Sequence, residues 1–538
     1  MANAKRLLWA SFFTIFAAGV GFAIRGGILG DWAKEYGFTM TELGGITGGG
    51  LVGFGFIIIF FSLFADAVGY GKLMVIAFTM HFLSAVLTLA AGFVFKAYGK
   101  DACFWCLYTG MFMFAVGNGT CEAVVNPLVA TLFPREKTHY LNILHAGWPA
   151  GLVFGALAAY FMGGHVAWQI QMSLFLLPTL LYGAMMVGQP FPVSEAKASG
   201  ANLGDMLAQF AAPVLLFLLV IHAMVGYVEL GTDSWISKIT GAILADPGKG
   251  LLLFIYTSML MTALRFFAGP IVHKISPLGL LFTCSILGSL GLTLLSGVES
   301  GIMAVVAATV YALGKTFFWP TMLGVASERF PRGGAMVLGA MGGIGMLSAG
   351  FLGGPGIGYK QDYFASNNLK EKSPEAYQRY VAKGTNSFLI FPAISGLDGA
   401  KVGVLDDKVG EVGKETADAE KAGKKLTDAE IAAIWAKDST EIAARIKAAK
   451  DAGKTDADAE ALSKWWATVN TTAQKDKDGV TAATLHGGRM ALKYTAIVPA
   501  VMAICYLLLI LYFKAKGGYS QVHIEDHADT RKEEVATH

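Results

Sequence analysis

The sequence predicts an all-α membrane protein: twelve transmembrane helices in two six-helix bundles, with a polar insert before the last helix. Three observations carry this prediction. Charge is scarce and segregated, apolar runs long enough to cross a bilayer recur, and the runs form two sets of six around a polar stretch. Of 538 residues, 54% are hydrophobic and 15% charged, against about 25% charged in ordinary soluble domains. Residues 359–488 hold 39 of the chain's 81 charged side chains, 19 Lys/Arg and 20 Asp/Glu. This distribution excludes a single soluble domain, a disordered chain and a nucleic-acid binder with a broad basic face. The net charge of +3 is too small to name a partner.

A bilayer core takes about 20 residues of apolar helix, and lipid offers backbone groups no partner outside the helix itself. Suitable runs lie near 7–28, 44–64, 73–95, 104–133, 141–163 and 167–188. A second set lies near 211–232, 251–272, 278–297, 302–324, 335–357 and 490–513. The chain therefore divides into an N-terminal bundle (1–188), a linker (189–210), helices 7–11 (211–358), an insert (359–488), helix 12 (489–513) and a tail (514–538). Lys5-Arg6 before the first run would also suit a signal peptide, but its removal would leave eleven spans and break the symmetry. Short segments on the N-terminal side of the membrane carry eleven Lys/Arg against five on the other side. By the positive-inside bias, both termini and the linker are cytoplasmic, in the cell (inner) membrane, and the insert is extracytoplasmic.

The insert reads as a small solvated helical cap. Ile431, Ile434, Trp435, Ile442 and Ile446 have amphipathic spacing, and Phe388–Pro392 is apolar enough to pack on the membrane domain. Its role is read as accessory. The five cysteines all lie in or beside apolar runs and act as small apolar side chains; the lone Cys103-x-x-Cys106 lacks the second pair of a zinc site. His523, His527 and His538 in the tail could meet a metal, but a solvated tail is the expected reading. No metal or cofactor is expected. Gly48–Gly50 and the glycines from Gly339 to Gly358 follow no strand, so they favour close helix approach over phosphate binding.

Two-bundle symmetry of this kind suits a secondary transporter, and several motifs point to a family. The turn between spans 2 and 3, Phe64-Ala65-Asp66-Ala67-Val68-Gly69-Tyr70-Gly71-Lys72, resembles the major facilitator signature G-x-x-x-D-R-x-G-R-K at Asp66, Gly69 and Lys72. Ser62 and Ala67 depart from it. The span 8–9 turn, Arg265-Phe266-Phe267-Ala268-Gly269 followed by Ile275-Ser276-Pro277 and Leu280-Leu281, is similar to that of the fucose:proton symporter family. So are Glu122 to Asn126-Pro127 in span 4, Leu141-Asn142 in span 5, Tyr227-Val228 with Glu229 and Trp235 in span 7, and Pro320-Thr321 in span 10. The resemblance implies the major facilitator fold, sugar transport and proton symport. Where that family carries Asn-x-x-Asp in span 1, this chain has Arg25, which removes the acid expected there.

Ionisable groups near mid-span cost about 2.5–3.5 kcal/mol on insertion scales and normally face a bundle interior or a hydrated passage. Asn118, Glu122 and Asn126 stand at i, i+4 and i+8 on span 4, on one face. A carboxylate between amides suits a polyol and can carry a proton, although an interhelical polar clamp would look the same. Asn142, His145 and Trp148 share a face of span 5, where a ring can stack on a sugar and the polar groups can meet its hydroxyls. His145 alone could equally be a packing residue, and Gly147, Gly151 and Gly155 suit helix contact. On span 7, Glu229 and Asp233 read as coupling or gating groups or as a wetted helix mouth. Lys315 and Trp319 are four apart on span 10; Lys315 and Arg25 each need an anion, from the protein or from the cargo. Asp66, Lys72 and Arg265 read as latches of the two turns.

The expected function is a secondary active transporter, acting as a monomer, that moves a small polar solute, a monosaccharide or polyol, by alternating access with protons. Glu122 is the preferred proton carrier and Glu229 the second. One alternative takes Arg25 and Lys315 as ligands of a sugar acid or other organic anion. Another is a non-transporting membrane sensor, which excision of 359–488 would silence. No nucleophile–base pair suggests an enzyme.

Overall fold

The computed structural model describes residues 2–38, 40–48, 50–163, 165–451 and 455–522. These form two compact units. One runs to Gly354 and resumes at Lys493; the other is Pro355–Leu492.

Eleven helices among the described residues are long and apolar enough to cross a membrane. One of them, Tyr70–Leu132, has 63 residues, about 95 Å at helical rise against a bilayer core of about 30 Å. It breaks at Gly99, whose φ of +83° and ψ of −171° only glycine adopts easily. That helix therefore holds spans 3 and 4, and twelve passages result. The first half comprises span 1 (Ala4–Gly27), span 2 (Gly50–Val68, preceded by Met40–Gly48), spans 3 and 4, span 5 (Lys137–His145 and Gly147–Met162) and span 6 (Trp168–Ser173 and Leu176–Met186). The second comprises span 7 (Pro213–Ile243), span 8 (Pro247–Arg265), span 9 within Ala268–Ser296, span 10 (Gly301–Lys315 and Phe318–Arg329), span 11 from Gly334 and span 12 ending at Ala515.

Local sequence explains where these helices bend. Pro149 lacks an N–H and collides with the carbonyl four residues back, and span 5 breaks there, between His145 and Gly147. Pro320 does the same on span 10, where the helix breaks between Lys315 and Phe318. Spans 7 and 11 each carry a π-turn, Tyr227–Gly231 and Ala349–Gly353, and the two turns meet. A Cβ on Gly231 would lie 2.5 Å from the Cα of Gly353, so only glycine permits that contact. The spaced glycines of span 5 serve helix contact: Gly151 lies against Gly19 and the backbone of Phe16 and Val20 on span 1.

The second unit has its own core around Tyr380, Leu405, Trp435, Ile442 and Trp466. It is not wholly helical as expected: Asn386–Phe388 and Phe391–Ile394 pair antiparallel, with Phe388 opposite Phe391. Leu389 turns this hairpin at φ +51°.

Candidate site between the two halves

A small pocket is lined by Glu122, His145 and Trp148 from the first half and by Glu229, Leu230, Arg265, Trp319 and Met346 from the second. It has room for little more than one water. The seam is thus closed around these groups, and a larger solute requires the halves to part.

Polar chains radiate from the pocket. The Asn126 amide donates to Glu122 Oε2 at 2.6 Å, and Asn126 Oδ1 lies 2.8 Å from His145 Nε2. The freed His145 carbonyl accepts from Arg265 Nη1 at 2.6 Å, and the Thr316 carbonyl, four residues before Pro320, accepts from Arg265 Nε at 2.7 Å. Arg265 Nη2 reaches Glu229 Oε1 at 2.9 Å. The other Glu229 oxygen accepts from the Trp319 backbone N–H at 3.3 Å. One guanidinium therefore satisfies a carboxylate and both proline-released carbonyls, joining spans 5, 7, 8 and 10. The Trp319 ring lies on Gly345, where a Cβ would come within 2.6 Å of it. One turn below, Asn142 donates to Thr138 O at 2.8 Å and across the seam to Thr321 Oγ1 at 3.2 Å, while its Oδ1 is buried without a partner among the described residues.

Other expected site residues lie elsewhere. Asn118 does not join Glu122 at the pocket. Its Oδ1 meets His81 Nε2 at 2.9 Å, and His81 Nδ1 meets the Tyr182 hydroxyl at 2.9 Å, a clamp inside the first half. Arg25 is also outside the pocket lining: it donates to Ser84 Oγ at 2.5 Å and Gly21 O at 3.3 Å, with its guanidinium carbon 4.0 Å from the centre of the Phe114 ring. Aromatic faces rather than an anion hold this cation. Lys315 finds its anion in Asp233 at 2.5 Å, beside the rings of Tyr311 and Phe254, and neither charge lines the pocket. Arg265, expected as a latch of the turn, instead turns inward and is 1% exposed.

Asp66 sits at the end of the seam that carries Asn3 and Lys514. It accepts from Tyr70 at 3.2 Å and from the Ala335 N–H of the other half at 3.4 Å; Lys72 is exposed. His81 and His222 belong to no motif in the sequence, and Thr321 belongs only to the span 10 motif. His222 is buried against Trp319, ring centres 4.7 Å apart, and both its nitrogens lack partners among the described residues. Its signal in the sequence is a lone histidine inside the apolar run Pro213–Gly226. Among the described residues no group of His, Cys, Asp and Glu could hold a metal ion; the tail histidines lie outside them.

No curated protein matches the sequence. Solved structures do resemble this one. The E. coli fucose:proton symporter FucP is 16% identical with a TM-score of 0.54, covering 68% of this chain and 92% of its own. The proton:xylose symporter XylE is 13% identical with a TM-score of 0.56, covering 66% and 88%. An inward-facing bacterial homolog of the human lysosomal transporter Spinster is 13% identical with a TM-score of 0.59, covering 97% and 99%. Identities this low carry the fold alone. The sequence itself matches a family description over residues 11–354, well over half its length, and with the paired six-helix halves this places the chain in the Major Facilitator Superfamily of membrane transporters.

Proposed function

We propose that the protein is a secondary active transporter that carries a small polar solute, a monosaccharide or related polyol, together with a proton across the cell membrane, as a monomer with both termini cytoplasmic. The observation that carries this reading is a charge imbalance. Glu229 is paired with Arg265 and Asp233 with Lys315. Among the described residues, Glu122 has no ion-pair partner and is held by the Asn126 amide alone. A buried carboxylate without a cation is costly, so Glu122 is the group whose charge a travelling proton would balance. Trp148 and Trp319 offer ring faces in the pocket, and Asn126, His145 and Asn142 offer hydrogen bonds, the combination a hydroxylated ring needs. FucP, a fucose:proton symporter, and XylE, a proton:xylose symporter, share this fold.

The organic-anion reading has less support. Lys315 is already neutralised by Asp233, and Arg25 is absent from the pocket lining.

The test uses purified protein in liposomes, after a thermal-shift screen of neutral sugars and uronates identifies a stabilising solute. Glu122→Gln is expected to abolish proton-driven accumulation of that solute while leaving exchange across the membrane. Accumulation that still follows the proton gradient would defeat the assignment of Glu122. Stabilisation by uronates alone would replace the sugar reading with the anionic one.

A further inference from the structure

After span 12 the chain does not run off into solvent. Gly517 and Gly518, at φ +95° and +110°, reverse its direction, and the Gly518 N–H caps the helix by donating to Phe513 O at 2.8 Å. The returning segment crosses the end of the seam that carries Asn3 and Lys514. Tyr519 packs edge-on against Phe513 and donates its hydroxyl to Glu328 Oε2 at 2.6 Å. Ser520 O accepts from Arg329 at 2.6 Å, and the Val522 N–H donates to Glu328 O at 2.9 Å. These contacts tie the segment to the end of span 10, in the second half. Gln521 then reaches the first half, donating to Pro134 O in the turn between spans 4 and 5 at 2.5 Å.

Glu328 is the junction. Its Oε1 accepts from Thr138, on span 5 of the first half, at 2.6 Å, so the two carboxylate oxygens hold the opposite half and the returning tail. We propose that Gly517–Val522 is a strap that holds this end of the seam shut, and that its release precedes parting of the halves there. Two features distinguish it from a passive tail. Its bonds reach both halves, so the halves cannot separate at that end without breaking the Gln521 link. It also orients the same carboxylate that already bridges the seam through Thr138. A strap of this kind makes opening at this end sensitive to whatever occupies or modifies the tail, a control separate from the solute pocket.

The test is amide hydrogen exchange on the full-length protein, with Tyr519→Phe combined with Gln521→Ala, and with Gln521→Ala alone as the milder variant should the double one fold poorly. The informative segments are 62–66 and 335–339, which meet across the seam at Ser62–Gly339 and Asp66–Ala335 and which the strap does not touch. Their exchange is expected to rise on the order of tenfold in the double variant, the size that two lost hydrogen bonds warrant. A rise confined to the strap's own contacts at 134 and 328–329, or no rise, would overturn the proposal. Exchange is read without solute or gradient, so this outcome is independent of whether the pocket carries sugar and protons.

Discussion

Arg265 on span 8 donates to the backbone carbonyl of His145 on span 5, a carbonyl left without its helical partner by Pro149. A cation buried at 1% exposure is thereby used three ways: it neutralises Glu229, repairs the Pro149 and Pro320 breaks, and links the two halves at the pocket. In the closed state the arrangement is self-sufficient. When the halves part, the His145 link is the one that must break, while Glu229 and Thr316 O move with Arg265 in their own half.

The pair therefore predicts an asymmetric mutant series. Arg265→Met leaves Glu229 buried with no cation and is expected to lower stability by about 3–5 kcal/mol, the cost of breaking a buried pair from one side. Arg265→Met with Glu229→Leu is expected to recover most of that loss, since apolar replacement of both partners is often neutral. Thermal unfolding in detergent reads the series. A double variant as unstable as the single would show that the carbonyl contacts, not the carboxylate, require the guanidinium.

Asn118 provides a different contrast. Bound to His81 within the first half, it is expected to behave as a structural clamp: Asn118→Ala should cost about 1–3 kcal/mol by leaving His81 Nε2 unsatisfied. The solute preference of the remaining folded protein should be unchanged. Asn142→Ala, at the seam, is expected to weaken solute binding as well as stability, because it removes the donations to Thr138 O and Thr321 Oγ1 together with an Oδ1 left open to a solute. Titration of solute-induced thermal shifts separates the two outcomes.

These two asparagines show what the linear sequence could and could not reveal. Spacing placed Asn118, Glu122 and Asn126 on one stripe, and the helix does so. Eight residues nevertheless rotate about 80° around a helix, so the stripe's ends face different neighbours, Asn118 toward span 3 and Asn126 toward span 5. Periodicity reports a shared face without saying what it looks at. Both buried cations were expected to need an anion; Lys315 has one 82 residues away in Asp233, whereas Arg25 lies on the Phe114 ring instead, and no local pattern encodes either contact. The membrane-spanning helical fold was legible because burial in lipid imposes composition on every residue of a helix. Arg265 was not, because the direction of one side chain at a helix end depends on the turn that follows. Its signal was present in the repeated Trp148-Pro149 and Trp319-Pro320 dipeptides, each freeing a carbonyl four residues upstream.

The glycine contact between spans 1 and 5 predicts a packing phenotype. Any side chain at Gly151 meets the span 1 backbone rather than a movable side chain, so the helices must separate. Gly151→Val is expected to destabilise the protein by at least the usual overpacking cost of about 1–3 kcal/mol. Gly403→Val, on an insert helix with open space around it, is expected to have little effect. The comparison by thermal unfolding isolates close approach from the general effect of adding a β-branched residue.

The insert predicts a pH response of its own. Asp407 is pushed up to about 6, first by burial and then by the carboxylates of Glu441, Glu411 and Asp406. A folded value above the unfolded one, near 3.9 for Asp, means that the folded insert binds the proton more tightly than the unfolded chain. Its stability therefore falls as pH rises from about 4 to 6 and stays low above that. Asp407→Asn removes the charge without changing shape, so it is expected to slow amide exchange in Gly399–Lys421 and Thr440–Asp451 at pH 7.5 and to change little at pH 4, once intrinsic exchange rates are corrected for. An equal effect at both pH values would mean that the mutation acts through packing, and the carboxylate cluster would lose its role in the insert's stability.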